Sequence, residues 1–178
     1  ENQTVSVDAH PEFQNDKFVV VPEVVGTQID MEKFNEAVTK AINGFKPTLD
    51  LFKTGCYILP RFVSDSQEVV AATDAMNSYL GANVTYDFNP ATEVVDASVI
   101  SQWVTVDADM NVTFNEEAVR AFIQSLADKY DTKGKPRTFT TATGNTVNVA
   151  GGSYGWKIDQ EAEYNALIAN IQNAETVT

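Results

Sequence analysis

The feature that most limits the folds open to this chain is a strand-to-helix joint near its end. The run from Gly151 to Asp159 combines a glycine turn, a short aromatic segment predicted as a strand, and an aspartate at the expected start of a helix. The helix is predicted from the amphipathic run that extends from Gln160 to Ile171. Aspartate is a favoured N-cap because its side chain accepts hydrogen bonds from the free N–H groups of the first turn. The chain therefore needs both strand and helix.

A weaker copy of this joint lies near the start of the chain. Gly26 to Asp30 precedes a second amphipathic run, Met31 to Ile42, and Gly26 lies 129 positions before Gly155. At this offset six residues recur unchanged: Gly26 as Gly155, Ile29 as Ile158, Asp30 as Asp159, Glu32 as Glu161, Ala37 as Ala166 and Ile42 as Ile171. Val38 is matched by the similar Leu167. Two interpretations stay open. The segments are either an internal repeat or two similar but independent joints, since a long repeat is expected to keep more identity.

The rest of the pattern mixes strands and helices without a regular βαβ rhythm. Composition and alternation predict strands at 17–21 and 83–88, an extended segment at 49–59, and a hairpin of 103–106 with 111–114. A second hairpin, 137–143 with 146–150, is predicted around Gly144-Asn145. Helices are predicted at 30–43, 65–80, 115–129 and the C-terminal run, with a short one at 96–103. The predicted class is α+β, with mixed sheets and four to five helices, one of them short.

Length and composition favour one domain. A chain of 178 residues can bury roughly 70% of its unfolded surface without a metal or a disulfide. We expect residues 1–16 to form a loosely ordered lead-in and residues 17–178 to form a single domain. The apolar runs are far shorter than the roughly 18 residues that indicate a membrane span. The chain begins at Glu1 without a leader-like segment, so we expect it to be part of a longer protein.

The net charge of −13 limits the possible partners. Nucleic acid is excluded, because its phosphates require a surplus of Lys and Arg. The same charge argues against simple adhesion to anionic lipid or teichoic acid. Neutral glycans and peptides with free amines remain compatible with it.

No residue pattern indicates catalysis, a metal or a cofactor. Cys56 lacks a partner base because the only histidine, His10, lies in the lead-in, so a buried apolar role is predicted. Asp107 to Asn111 has the first ligand spacing of a calcium loop but lacks its glycine and its final glutamate, which favours a turn. The acidic pairs Glu116-Glu117 and Asp159 with Glu161 occupy helix starts, where negative charge is stabilising. We predict that the chain is not an enzyme.

Aromatic side chains are the best candidates for ligand contacts. Tyr154 and Trp156 would share one face of a regular strand, and aromatic rings with a polar edge suit a partly wet groove. The favoured interpretation is that this face belongs to the core, and a ligand platform is the alternative. Trp103 and Tyr86 are further candidates. The predicted hairpin around Gly144-Asn145 could also offer a free edge to an extended peptide.

Two segments of the chain resemble a known family. Tyr-Gly-Trp-Lys-Ile-Asp at 154–159, preceded by Gly151-Gly152 and by 140–147, is similar to a motif of the peptidoglycan-binding domain found upstream of L,D-transpeptidase catalytic domains and in VanW-type proteins of Gram-positive bacteria. Residues 18–30 resemble the opening of the same module. The resemblance implies a mixed α and β fold, an extracytoplasmic, wall-associated location, and peptidoglycan and adjoining domains as partners.

Three functions are compatible with these observations. The first is a non-catalytic wall module that binds or orients peptidoglycan, through glycan or stem peptide, for an adjoining transpeptidase or other wall-acting domain. The second is a structural spacer with no ligand of its own. The third is a hydrolase with an acidic pair, which a raised carboxylate pKa in a cleft would favour.

Overall fold

The N-terminal part of the chain is organised around a β-hairpin. A computed structural model describes residues 3–178. Strand β1 (His10–Gln14) pairs antiparallel with β2 (Lys17–Val21). The turn residues Asn15 and Asp16 both have positive φ, as the turns that match the twist of a two-stranded ribbon require. Strand β2 confirms the prediction for 17–21, whereas β1 lies within the segment predicted as a loose lead-in.

Helix α1 (Met31–Asn43) and helix α2 (Gln67–Tyr79) follow the hairpin. Asp30 caps α1 by accepting hydrogen bonds from the N–H groups of Glu32 and Lys33, and Gly44 ends the helix, both as predicted. The extended segment predicted at 49–59 is wrong. Residues 51–55 form turns, and only Tyr57 makes an isolated bridge, with Ile29.

The second half of the chain begins with β3 (Asn83–Asp87) and β4 (Thr92–Val95), followed by α3 (Ala97–Trp103). Next come β5 (Val104–Val106), β6 (Val112–Phe114) and α4 (Glu116–Tyr130). A hairpin of β7 (Arg137–Thr140) and β8 (Thr146–Val149) precedes α5 (Gln160–Gln172) and β9 (Thr176–Val177). The order β4-β3-β9 forms a mixed sheet, because β3 pairs antiparallel with β4 and parallel with β9. The α+β prediction with five helices, one short, is confirmed.

The chain divides into two compact units. One contains residues up to 75 together with 106–112, and its core includes Ala9, Phe62 and Val69 with Val20 and Met110 packed against them. The other contains 76–105 and 113–178. Its core is built from apolar faces of the sheet and of α3, α4 and α5, and the fully buried side chains are Val95, Ile100, Val119, Ile123, Leu126, Leu167 and Ile171. The single-domain organisation predicted for 17–178 stays a prediction.

Each unit contains one of the two similar joints. Asp30 caps α1, and Asp159 caps α5 by accepting from the N–H of Ala162. The two helices have the same length of 13 residues. Burial differs between the copies, because Ile171 is fully buried whereas its counterpart Ile42 is exposed. The capped joint therefore recurs, but the packing of the helix behind it does not.

Among the helices within residues 3–178, none combines the length and the apolar character that crossing a membrane requires.

Candidate functional site

Hairpin β7–β8 is attached to the second unit by the segment that follows it. The carbonyl oxygen of Trp156 accepts hydrogen bonds from the N–H groups of Thr132 and Lys133, each at 3.0 Å. The N–H of Trp156 donates to the Thr132 hydroxyl at 3.1 Å. Two residues on, the N–H of Ile158 donates to the Asp131 carboxylate at 2.9 Å. These bonds fix both ends of the hairpin at the C-terminus of α4.

Two glycines allow this close approach. A Cβ at Gly151 would lie 1.7 Å from the carbonyl oxygen of Gly134, and a Cβ at Gly155 would lie 2.6 Å from the nitrogen of Lys133. Gly155 also has φ of +119°, which L side chains rarely adopt. The glycines therefore serve backbone contact. The short aromatic strand predicted between Gly151 and Asp159 does not form, and Tyr154 and Trp156 are not placed by strand alternation.

The hairpin turn is longer than predicted. The last strand pair is Thr140 with Thr146, and the N–H of Thr141 donates to the carbonyl of Asn145 at 2.8 Å. Gly144 has φ of +80° within this loop. The hairpin itself is confirmed, but its connection is a longer loop with a left-handed glycine instead of the two residues Gly144-Asn145 alone.

One face of the hairpin carries three exposed apolar side chains and one arginine. The register pairs Arg137 with Val149 and Phe139 with Val147, and alternation places all four on the same face. All four are exposed to solvent. Burial therefore does not explain these apolar residues.

Tyr154 and Trp156 lie beside this face. Tyr154 is 78% exposed, and the Arg137 guanidinium lies 5.0 Å from the centre of its ring. Trp156 is 45% exposed and stacks on Phe88 with ring centres 5.8 Å apart and planes within 9°. Arg137 and Tyr154 line both of two adjoining concavities, of about 530 Å³ and 200 Å³. We call this surface the hairpin platform, and its members are Arg137, Phe139, Val147, Val149, Tyr154 and Trp156.

Phe88 supports the platform from below. Its ring stacks on Tyr130 at 3.8 Å and on Tyr86 at 6.3 Å as well as on Trp156. The Tyr130 hydroxyl donates to Glu93 at 2.6 Å, and Lys129 also donates to Glu93. These two hydrogen bonds lower the pKa of the Glu93 carboxyl, and the bond from Lys129 has the larger effect.

The four predicted site residues occupy different environments. Tyr86 is half-buried; its hydroxyl donates to Glu163 at 2.6 Å, and burial with this bond raises the pKa of Tyr86. Its ring is linked to Trp156 of the platform through the ring of Phe88, which stacks on both. Trp103 is 6% exposed, and its ring lies 5.3 Å from that of Phe122, so it offers almost no face to a ligand. Tyr154 and Trp156 alone are open to solvent.

The charge of the hairpin segment is opposite to that of the chain. Residues 132–158 contain four of the 12 basic residues, Lys133, Lys135, Arg137 and Lys157, and no Asp or Glu. Within the described part of the chain, none of these four side chains forms an ion pair. Five of the other eight cations do, namely Lys33, Lys53, Arg61, Arg120 and Lys129, whereas Lys17, Lys40 and Lys46 form none among the described residues. The net charge of −13 therefore does not argue against an anionic partner at this segment. The local excess of positive charge is visible in the sequence of residues 132–158 alone.

One carboxylate of each predicted acidic pair is bound by Arg120. Arg120 donates to Glu116 at 2.7 Å and to Glu161 at 2.8 Å, joining α4 to α5. Its guanidinium lowers the pKa of the Glu161 carboxyl, the opposite of what a general acid needs. Asp107 accepts from the N–H groups of Asp109 and Asn111, the turn chemistry predicted for this loop.

Cys56 is fully buried, as predicted, and its sulfur lies 3.2 Å from the Thr54 hydroxyl. Over residues 3–178, no three His, Cys, Asp or Glu side chains are grouped in a way that could hold a metal ion.

Comparison with known proteins identifies the family. The chain belongs to the family described as "Putative peptidoglycan binding domain", whose model matches residues 1–50 and 62–178. Two solved structures are similar: the avibactam carbamoyl enzyme of Ldtfm and an Enterococcus faecium L,D-transpeptidase mutant. Each is 28% identical with a TM-score of 0.48, and the alignments cover 62% and 63% of this chain and 43% of each of those chains. The chain thus spans less than half the length of either protein. No curated protein matches significantly.

Proposed function

We propose that this chain is a non-catalytic, extracytoplasmic module of a Gram-positive wall protein, of the kind found in L,D-transpeptidases and VanW-type proteins. It binds peptidoglycan through the hairpin platform and holds it for an adjoining wall-acting domain. Membership of the peptidoglycan-binding family supports the ligand class. The observation that carries the choice of surface is the exposure of Tyr154 and Trp156 beside an apolar hairpin face with no packing role.

The chemistry of the platform fits a polymer of sugars and peptides. Aromatic rings with one open face stack on sugar rings or on peptide side chains, and an amphipathic edge suits a partly wet surface. Trp156 is held by Phe88 on one side and open on the other, so little side-chain freedom remains to be lost on binding. Of the residues predicted from the sequence, Tyr154 and Trp156 are the proposed contacts, and Tyr86 supports them through Phe88.

A non-catalytic role is favoured over the hydrolase hypothesis by the state of the titratable groups. Arg120 donates hydrogen bonds to Glu116 and Glu161 and lowers the pKa of the Glu161 carboxyl, and Cys56 lies in the core. A general acid needs a raised pKa at a cleft, whereas the pKa of Glu161 is lowered by its partner.

The test is binding of the chain to purified peptidoglycan sacculi, measured by co-sedimentation, with Tyr154→Ala as the probe variant. Loss of one exposed stacking contact is expected to weaken binding roughly three- to tenfold. Phe52→Ala is the matched control, because Phe52 is an exposed aromatic of the other unit and lies outside the residues matched by the family model. Equal losses in both variants would contradict the choice of surface. Absence of binding by the unchanged chain would favour the spacer hypothesis.

A further inference from the structure

We propose that the hairpin platform recognises an extended peptide through its free carboxylates, so that the module binds the stem peptide of peptidoglycan and not its glycan. This inference rests on the proposed function and names the part of the polymer that is bound.

The unpaired cations are the first argument. Lys133, Lys135, Arg137 and Lys157 lie within a segment without a single carboxylate, and none of them has an ion-pair partner among the residues described. Elsewhere in the described chain five of the eight cations form ion pairs, as Arg120 does on α4. A neutral glycan would leave all four charges without an anionic partner.

Arg137 has the geometry of a carboxylate receptor. Its guanidinium stacks over the ring of Tyr154 at 5.0 Å, which restricts its orientation and leaves its N–H edge free. Guanidinium and carboxylate match in a bidentate pair of hydrogen bonds, stronger than bonds between neutral groups. Lys135, two residues earlier, lines the same concavity with Arg137, Phe139 and Tyr154 and supplies a second positive charge.

The backbone of the hairpin is the second argument. Strands β7 and β8 form a sheet of only two strands, and in the described chain no third strand pairs with either outer edge. An extended peptide can add to such an edge through main-chain hydrogen bonds. Its alternate side chains would then meet the apolar face that Phe139, Val147 and Val149 expose. A polysaccharide has no repeating peptide group to continue the ladder.

The charge of the whole chain favours a small anion over a polyanion. Screening confines the attraction of the four cations to about 10 Å at 0.1 M salt. A phosphate polymer would extend beyond that distance, towards a protein whose net charge is −13. A peptide with one or two carboxylates remains within it.

The experiment is an NMR titration of the full chain with four soluble probes. They are a neutral N-acetylglucosamine oligomer, a muramyl peptide with free carboxylates, the same peptide with its carboxylates amidated, and a glycerol phosphate oligomer. The free-carboxylate peptide is expected to bind roughly fivefold more tightly than the amidated one, with shifts clustered on residues 132–158. Arg137→Gln should remove that difference. Lys53→Gln, an exposed lysine of the other unit, should preserve it.

Each alternative result has a distinct meaning. Equal affinity for free and amidated peptide, or tighter binding of the sugar or phosphate oligomer, overturns the inference but leaves binding of the wall intact. Absence of a saturable shift with any probe, together with absence of co-sedimentation with sacculi, overturns the proposed function as well. Lys135→Gln provides a second charge variant if Arg137→Gln alters the spectrum outside the platform.

Discussion

The attachment of the hairpin predicts contrasting effects at two adjacent glycines. In Gly151→Ala the new methyl group would lie 1.7 Å from the carbonyl oxygen of Gly134, about half of an ordinary contact distance. At Gly152 a Cβ meets nothing within 4 Å, and the backbone has no positive φ. The two variants therefore make the same chemical change, but only the first forces two backbone segments apart.

The size of the effect follows from the bonds that such a separation breaks. A shift of well over 1 Å at Gly151 would strain the three hydrogen bonds that join Trp156 to Thr132 and Lys133. At about 1 kcal/mol each, their loss amounts to about 3 kcal/mol of local stability. Because hairpin residues 133–157 are exposed, the strain is relieved by opening of the hairpin and not by unfolding of the core.

Native-state hydrogen exchange measures this directly. Amides of Thr132, Lys133 and Trp156 should exchange roughly 100-fold faster in Gly151→Ala, since 1.4 kcal/mol corresponds to a factor of ten. Amides of α4 should be unchanged. Gly152→Ala should match the unchanged chain, or gain about 0.4–1 kcal/mol from reduced freedom of the unfolded chain. Identical exchange in the two variants would refute the account of how the hairpin is attached.

Replacing Ile123 by Ala should lower the free energy of unfolding by roughly 2–5 kcal/mol, because this side chain of α4 is fully buried. Urea unfolding monitored by circular dichroism would measure the loss, and a loss below about 1 kcal/mol would contradict the packing. Tyr86→Phe removes the hydroxyl that donates to Glu163, so the free energy of unfolding in the same assay should fall by roughly 1–2 kcal/mol. An unchanged free energy would contradict this hydrogen bond. The hydrogen bond from the N–H of Lys33 lowers the pKa of the Asp30 carboxyl from its ordinary value of 3.8. The stability that ionised Asp30 contributes is therefore complete above pH 3.8, and it is lost as the pH falls through the lowered pKa. Asp30→Asn should therefore show a smaller fall in Tm on acidification below about pH 4 than the unchanged chain, and an equal fall would count against this role.

Elements with a strong local signal were predictable from the sequence. Strand β2 is rich in β-branched residues and was assigned with its observed bounds, and α4 and α5 carry both a cap residue and an apolar stripe. Elements held by distant partners were not. Strand β1 contains Pro11, which weakens a strand prediction, and β9 is two residues long and exists through its parallel pairing with β3.

The candidate site was predictable only in part for the same reason. Tyr154 and Trp156 stand out as aromatics near a glycine turn. Their supports are remote in sequence, because Phe88 reaches Trp156 through the tertiary fold and Arg137 reaches Tyr154 across the hairpin. Trp103 was a further aromatic candidate but serves the core, since composition alone does not distinguish a buried ring from an open one.

The way the hairpin is attached has a consequence for how this surface evolves. Between Gly134 and Gly151 no side chain contributes to the core, and the conformation depends on the two anchoring segments and one left-handed glycine in the turn. Substitutions along β7 and β8 therefore carry little penalty in stability. Proteins usually trade stability for new binding properties, whereas here the two are separated along the chain. The proposed binding side chains Arg137, Phe139 and Val149 can therefore change with little cost to the fold, whereas the glycines that anchor the hairpin cannot.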